Sequence, residues 1–145
     1  MQVLVDTSVW LLALRRVPSL DKSQAANLAQ IAAVKMLRDL ISDGRGSMLG
    51  AIRQELLSGI KSSQQFNTLR TALQGFEDIS LTQADYERAA EFFNTCRSKG
   101  VQGSSTDFLI CAAASTRNMP ILSTDLDFSM YAKFLPIELL GVQHK

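Results

Sequence analysis

Short β-rich runs alternate with helix-patterned stretches along the whole chain, and this alternation restricts the fold more than any other feature. The runs are "QVLV" (2–5), "SMLG" (47–50), "EDISL" (77–81), "MPILST" (119–124) and "LPIEL" (135–139). Each has the length of a strand and is too short for an ordinary helix. Between them lie "TSVWLLAL" (7–14) and a helix from Gln24 to Ser42 with Leu28, Ile31, Ala32, Met36, Leu37 and Leu40 on its inward face. "AIRQELLSGI" (51–60) and "FNTLRTALQGF" (66–76) follow, then a helix capped by Thr82 and Asp85 that turns Tyr86, Ala89, Ala90 and Phe93 inward. "TDFLICAAAST" (106–116) is apolar nearly all round, as a helix buried in the core would be, and "DLDFSMYAKF" (125–134) reads as a short helix or turn. Parallel strands need a crossover, and a helix is the usual one. The alternation therefore predicts an α/β fold with a small, mainly parallel sheet flanked by helices.

A chain of 145 residues suits one domain around one core. No repeat, low-complexity tract or linker divides it, so residues 1–145 are expected to form a single domain. Fifteen Lys and Arg against 14 Asp and Glu leave a net charge of +1, which argues neither for a blanket polyanion binder nor for an acidic tail; any nucleic-acid site has to be a local patch. Hydrophobic residues make up 46% of the chain, yet no run approaches the roughly 18 apolar residues of a membrane span. The first apolar run has no basic leader, is broken by Asp6 and is followed by no small-residue cleavage site. A cytoplasmic protein without membrane association is expected, and Cys96 and Cys111 then read as reduced core thiols.

The carboxylates carry the functional signal. Ligands of a parallel sheet collect at the carboxyl ends of its strands, where Asp6 and Asp125 each directly follow a strand candidate. Every acid has a structural explanation: Asp6, Asp107 and Asp125 suit helix caps, Asp127 a first helical turn, and Glu55 a solvated position beside Arg53 or Lys61. Together they are harder to dismiss, because "QVLVDTSVWLLAL", "DFLICAAAS" and "MPILSTDLDF" contain no Lys or Arg, and a buried carboxylate without a counter-charge is costly. A hard divalent cation such as Mg²⁺ would supply that charge with oxygen ligands alone. Other chemistries lack their parts: the sole histidine, His144, is next to last, and neither a G-x-G-x-x-G nor a P-loop sequence occurs.

"VLVDTSVW", "AIRQELLSGI", "STDFLICAAA" and "ILSTDLDF" resemble, in that order, the acidic motifs of PIN-domain ribonucleases, and most closely those of VapC-type toxins from toxin–antitoxin pairs. The resemblance covers essentially the whole chain. It implies a PIN-like domain in which Asp6, Glu55, Asp107 and Asp125 are catalytic acids that bind Mg²⁺ or Mn²⁺. Asp127 is a fifth candidate, since "TDLDF" leaves open which of its two acids coordinates. Ser8 and Thr124 match hydroxyl positions that would orient a carboxylate or a bound water by hydrogen bonding, with helix capping as the other reading. Arg15, Arg16, Lys22, Arg53 and Lys61 are candidate phosphate contacts.

The implied activity is hydrolysis of RNA phosphodiester bonds, by a toxin that a cognate VapB-like antitoxin inhibits by inserting a peptide into the acidic groove, and that forms a homodimer. Two alternatives stay open: a PIN nuclease of RNA processing without an antitoxin, and an inactive PIN scaffold. A haloacid-type phosphatase is disfavoured, because its first motif needs a second Asp where this chain has Ser8.

Overall fold

The computed structural model describes residues 1–14 and 24–141, with side chains from residue 28 onward in the second segment. The elements are β1 (Val3–Val5), α1 (Thr7–Leu14), α2 (Gln24–Ser42), β2 (Gly46–Ser47), α3 (Gly50–Leu57), α4 (Ser63–Leu73), α5 (Gln83–Ser98), α6 (Ser105–Arg117), β3 (Ile121–Leu122) and α7 (Asp127–Ala132). β1 is the central strand, with the order β2-β1-β3 and both pairings parallel. Leu4 faces Ser47 on one side and Ile121 on the other, and Val5 faces Leu122. The α/β expectation from strand–helix alternation is borne out.

Two of the expected strands are reduced to single parallel bridges that flank this sheet, Met48 with Asp78 and Ile121 with Leu139. Each has a local reason. Pro136 in "LPIEL" lacks an N–H for a ladder. In "EDISL", Glu77 and Asp78 are exposed, and the Asp78 carboxylate is held by Arg53.

Val3, Leu4 and Val5 are fully buried, because helices cover both faces of the sheet. On one side α6 buries Phe108, Ile110, Cys111, Ala112, Ala113 and Ala114, which is what its all-round apolar sequence required. α5 packs along it, with Phe93 edge-on to Phe108 at 5.6 Å between ring centres. On the other side α1 packs on α2 and α3, with Trp10 edge-on to Phe76 at 5.1 Å between ring centres.

The helix ends are set by local chemistry. Thr82 and Asp85 form a full capping box at α5. The same Asp85 receives a two-pronged bond from Arg117 at 2.9 and 2.8 Å, tying the start of α5 to the end of α6. That guanidinium holds the Asp85 carboxyl down to about 2. α6 ends at Asn118, in the left-handed region at φ 56°.

Two inward faces differ from expectation. On α2 the buried positions are Ala33, Leu37 and Leu40, while Leu28, Ile31 and Ala32 face outward. The helix has two overlapping apolar stripes, and packing selects the one led by Ala33. On α5, Asp85, Phe92 and Cys96 are buried; Phe93 and Ala89 are partly covered, and Tyr86 and Ala90 are exposed. Cys96 and Cys111 are free and buried, and burial pushes both thiols up. Among the described residues no helix is long and apolar enough to cross a membrane.

Candidate metal centre

Asp6 is the first residue beyond β1, at the carboxyl end of the sheet, and is 4% exposed. Its Oδ2 accepts bonds from the Ser8 hydroxyl at 2.7 Å, the Ser8 N–H at 3.3 Å and the Ser123 hydroxyl at 2.8 Å. Those hydroxyls are themselves aimed by backbone: Thr124 N–H donates to Ser8 Oγ at 3.1 Å, and Asp125 N–H to Ser123 Oγ at 2.9 Å. A relay thus runs from the loop after β3 through two serines to one oxygen of Asp6. Among the described residues no hydrogen bond falls on the other oxygen, which is left for a further partner. Burial pushes the Asp6 carboxyl up, the serine bonds oppose this, and the charge of Asp125 adds to it.

Asp107 lies in the first turn of α6, where its own N–H donates to the capping Ser104 hydroxyl at 3.0 Å. Its Oδ2 accepts a 2.5 Å bond from the Tyr131 hydroxyl. Burial pushes Asp107 up as well, opposed by the Tyr131 bond and reinforced by the charges of Asp6 and Asp125. Asp125 accepts the Asp127 N–H on Oδ1 at 2.9 Å, so the turn after β3 presents both acids at the start of α7.

Asp107, Asp125 and Asp127 come together, each offering an oxygen within 4.8 Å of the others. Among the described residues no Lys or Arg forms an ion pair with any of these three or with Asp6. Concentrated carboxylates with no counter-cation, His or thiolate beside them among the described residues fit a hard divalent ion of the Mg²⁺ or Mn²⁺ kind. Asp6 stands outside the trio but close enough for its charge to act on Asp107.

The remaining sequence candidates divide. Glu55 is exposed on α3 and outside the trio; instead of pairing with Arg53 or Lys61, it accepts the Thr7 hydroxyl at 2.6 Å. It lines a groove of about 450 Å³ with Thr7, Leu11, Ala51, Gln54, Ser58 and Thr106, which reaches the residue next to Asp107. Ser8 orients Asp6 as expected. Thr124 contributes its backbone N–H, and the second hydroxyl on Asp6 belongs to its neighbour Ser123.

Arg53 is not placed for phosphate: it bonds Asp78 at 2.8 and 3.0 Å, the Leu73 carbonyl at 3.0 Å and the Phe76 carbonyl. A forked guanidinium tied to three partners is a structural clamp between α3 and the segment after α4. Lys61 is exposed and without an ion pair among the described residues. Arg15, Arg16, Lys22 and His144 lie outside the described residues.

Sequence reasoning missed Ser123 and Tyr131. For Ser123 a signal existed, since extending the β1–β3 register by one residue sets it opposite Asp6.

The family described as "PIN domain" matches residues 3–134. Among solved structures the chain is similar to FitAcB from Neisseria gonorrhoeae, with a TM-score of 0.71 and 17% identity over 99% of this chain and 100% of that one. It is also similar to VapBC2 from Rickettsia felis bound to a DNA fragment from its promoter, with a TM-score of 0.67 and 16% identity over 97% of this chain and 98% of that one. A toxin–antitoxin complex from Klebsiella pneumoniae follows, with a TM-score of 0.55 and 18% identity over 88% and 91% of the two chains. At these identities the likeness is one of fold. No curated protein sequence matches significantly.

Proposed function

The chain belongs to the PIN-domain family, and from that premise we propose that it is a Mg²⁺- or Mn²⁺-dependent endoribonuclease, the toxin of a toxin–antitoxin pair. The observation that carries this reading is the gathering of Asp107, Asp125 and Asp127 within 4.8 Å beside Asp6, at the carboxyl end of a parallel sheet.

In this reading Asp6, Asp107 and Asp125 hold the metal, with Asp127 beside them, and Glu55 faces the groove from α3. When bound, the ion supplies Lewis acidity, lowering the pKa of a coordinated water and neutralising charge on the scissile phosphate. The protein's own share is orientation. Ser8 and Ser123 fix one oxygen of Asp6, Ser104 anchors the turn that carries Asp107, and the Asp125–Asp127 turn presents its two acids side by side.

An acid-only cluster repels an RNA backbone, so substrate engagement should require metal first. The groove beside Glu55, which reaches Thr106 next to Asp107, suits an extended chain, whether RNA or the inhibitory segment of an antitoxin. Two of the similar structures are described as a VapBC pair and a toxin–antitoxin complex, which supports a cognate antitoxin as partner. A single cytoplasmic domain acting as a homodimer completes the proposal.

The test is incubation of purified, antitoxin-free protein with total cellular RNA in Mg²⁺ or in EDTA, with the cut ends mapped. Discrete ends in Mg²⁺, absent in EDTA and absent with Asp107→Asn, are expected. Equal cleavage by Asp107→Asn, or cleavage undiminished in EDTA, would refute the assignment; Mn²⁺ binding with no cleavage of any RNA would favour the scaffold.

A further inference from the structure

We propose that Tyr131 is a positioning residue of the metal centre, fixing the Asp107 carboxylate through a hydroxyl whose space is kept open by the missing side chain of Gly103. The inference rests on the metal-centre reading above and adds to it a residue 24 positions away from the acid it serves.

Three observations converge. The first is the bond itself, 2.5 Å from the Tyr131 hydroxyl to Asp107 Oδ2, at the short end of the range for a hydroxyl donating to a carboxylate. Among the described residues no hydrogen bond falls on the carboxylate's other oxygen.

The second is the packing of the ring. Tyr131 is fully buried, with its ring centre 5.0 Å from that of Phe108 and 5.2 Å from that of Phe128. Phe108 immediately follows Asp107, and Phe128 immediately follows Asp127. One aromatic ring therefore grips the residue next to an acid on each of two helices, α6 and α7. Its position couples the two halves of the cluster, and neither contact lets the phenol swing away.

The third is Gly103. A Cβ at this position would lie 2.7 Å from Tyr131 Cζ and 2.9 Å from Cε1, and would overlap the hydroxyl oxygen. Those atoms belong to a ring wedged in the core, so they have no easy retreat. Gly103 is not among the glycines with positive φ, so backbone conformation does not explain it. Space for the phenol does. The chain segment just before the Ser104 cap thus runs directly against the hydroxyl that holds Asp107.

The chemical benefit is pre-organisation. A carboxylate free to rotate has to be ordered when it takes up an ion, whereas one already held by a buried hydroxyl does not. Substitution of residues that orient metal ligands typically weakens metal affinity 10–100-fold.

Tyr131→Phe separates positioning from packing, since it keeps both ring contacts and removes only the hydroxyl. Mn²⁺ titration of the metal-free protein, followed by electron paramagnetic resonance, gives affinity without reference to catalysis, and thermal melting in EDTA gives stability. An apparent Kd for Mn²⁺ weakened about 10-fold or more, with a metal-free Tm within a few degrees of wild type, is expected. The Mn²⁺ concentration for half-maximal RNA cleavage should rise in parallel. Unchanged Mn²⁺ affinity in Tyr131→Phe would overturn the proposal.

Should Tyr131→Phe melt well below wild type, the Mn²⁺ titration is repeated at a temperature at which its circular dichroism shows the variant fully folded: weakened binding there supports the proposal and unchanged binding overturns it. Failure of the wild-type protein to bind Mn²⁺ would overturn the metal-centre reading and this inference together. Equal binding by wild type and variant overturns this inference alone.

Discussion

Replacing Asp107 with Asn should make the metal-free protein more stable, the opposite of what a structural acid would give. Three carboxylates offer oxygens within 4.8 Å of one another, and among the described residues no Lys or Arg pairs with them. Two unit charges at that separation repel by about 0.9 kcal/mol in water and about 3.5 kcal/mol at an effective dielectric of 20. Asp107 and Asp125 are half-buried and Asp127 exposed, which sets each interaction near the watery limit. Asn at 107 removes the repulsions from Asp6, Asp125 and Asp127 and the cost of burying a charge, while keeping an oxygen to accept from Tyr131. A neutral acceptor is weaker, which offsets part of the gain.

The expected net gain is about 1 kcal/mol, or about 3–5 °C in Tm for a chain of this size. Burial pushes Asp107 up, so the folded state holds its proton more tightly than the unfolded chain does. Its destabilising effect is full above the folded pKa and fades as pH falls through that value toward the unfolded one. The advantage of Asp107→Asn is accordingly largest at neutral pH and shrinks on acidification. Mn²⁺ reverses the ranking: at 100 times Kd it should stabilise the wild type by about 2.7 kcal/mol and the variant much less. Differential scanning calorimetry at pH 7 in EDTA and in Mn²⁺ measures both effects. A metal-free Asp107→Asn protein less stable than wild type by more than about 1 kcal/mol, or equal stabilisation of both proteins by Mn²⁺, would refute the reasoning.

Asp85 is held down to about 2 by Arg117, so its stabilising contribution is present above the unfolded value of 3.8 and is lost as pH falls through about 2. The interval corresponds to about 2 kcal/mol, and Arg117→Met should forfeit roughly that at pH 7 and flatten the acid limb in urea titrations between pH 2 and 7, as set by those two values. Arg53→Ala should cost about 2 kcal/mol by urea melting, because two backbone carbonyls and Asp78 lose their donor; Arg53→Lys should recover little, a compact ammonium lacking the planar fork that reaches all three acceptors at once. Ser123→Ala should lower stability by about 1 kcal/mol and weaken Mn²⁺ binding, whereas Thr124→Ala, which keeps the backbone N–H that Thr124 contributes, should change neither in calorimetric titration.

What could be read from the sequence follows the range of the forces involved. Local patterns located β1, α1, α2 and the buried α6, because strand and helix periodicity and a nearly uncharged run such as "DFLICAAAS" are written in consecutive residues. The Thr82–Asp85 box was visible for the same reason. Choosing the inward face of α2 needed the neighbouring helices: its two apolar stripes are equivalent until Ala33 meets the core. "EDISL" has strand composition, but its Asp78 is taken by Arg53, 25 residues earlier.

The site divides along the same line. Asp6, Asp107 and Asp125 stood out as acids in apolar surroundings, and the structure places them as neighbours. Ser123 and Thr124 were not separable by composition, since only strand register sets Ser123 opposite Asp6. Tyr131 and Gly103 matter through a three-way contact among α6, α7 and the segment before α6, which has no signature in any one stretch. Arg53 looked like a phosphate contact because it lies two residues from Glu55 in sequence, yet its guanidinium is taken up by acceptors 20 to 25 residues further along the chain.

The most direct test of the central claim is an anomalous difference map from crystals soaked in Mn²⁺. A peak bounded by carboxylate oxygens of Asp107 and Asp125, with Asp6 or Asp127 completing the shell at about 2.1 Å, is expected, and it should vanish in Asp107→Asn. No peak at saturating Mn²⁺, or one held elsewhere with these four acids untouched, would contradict the account.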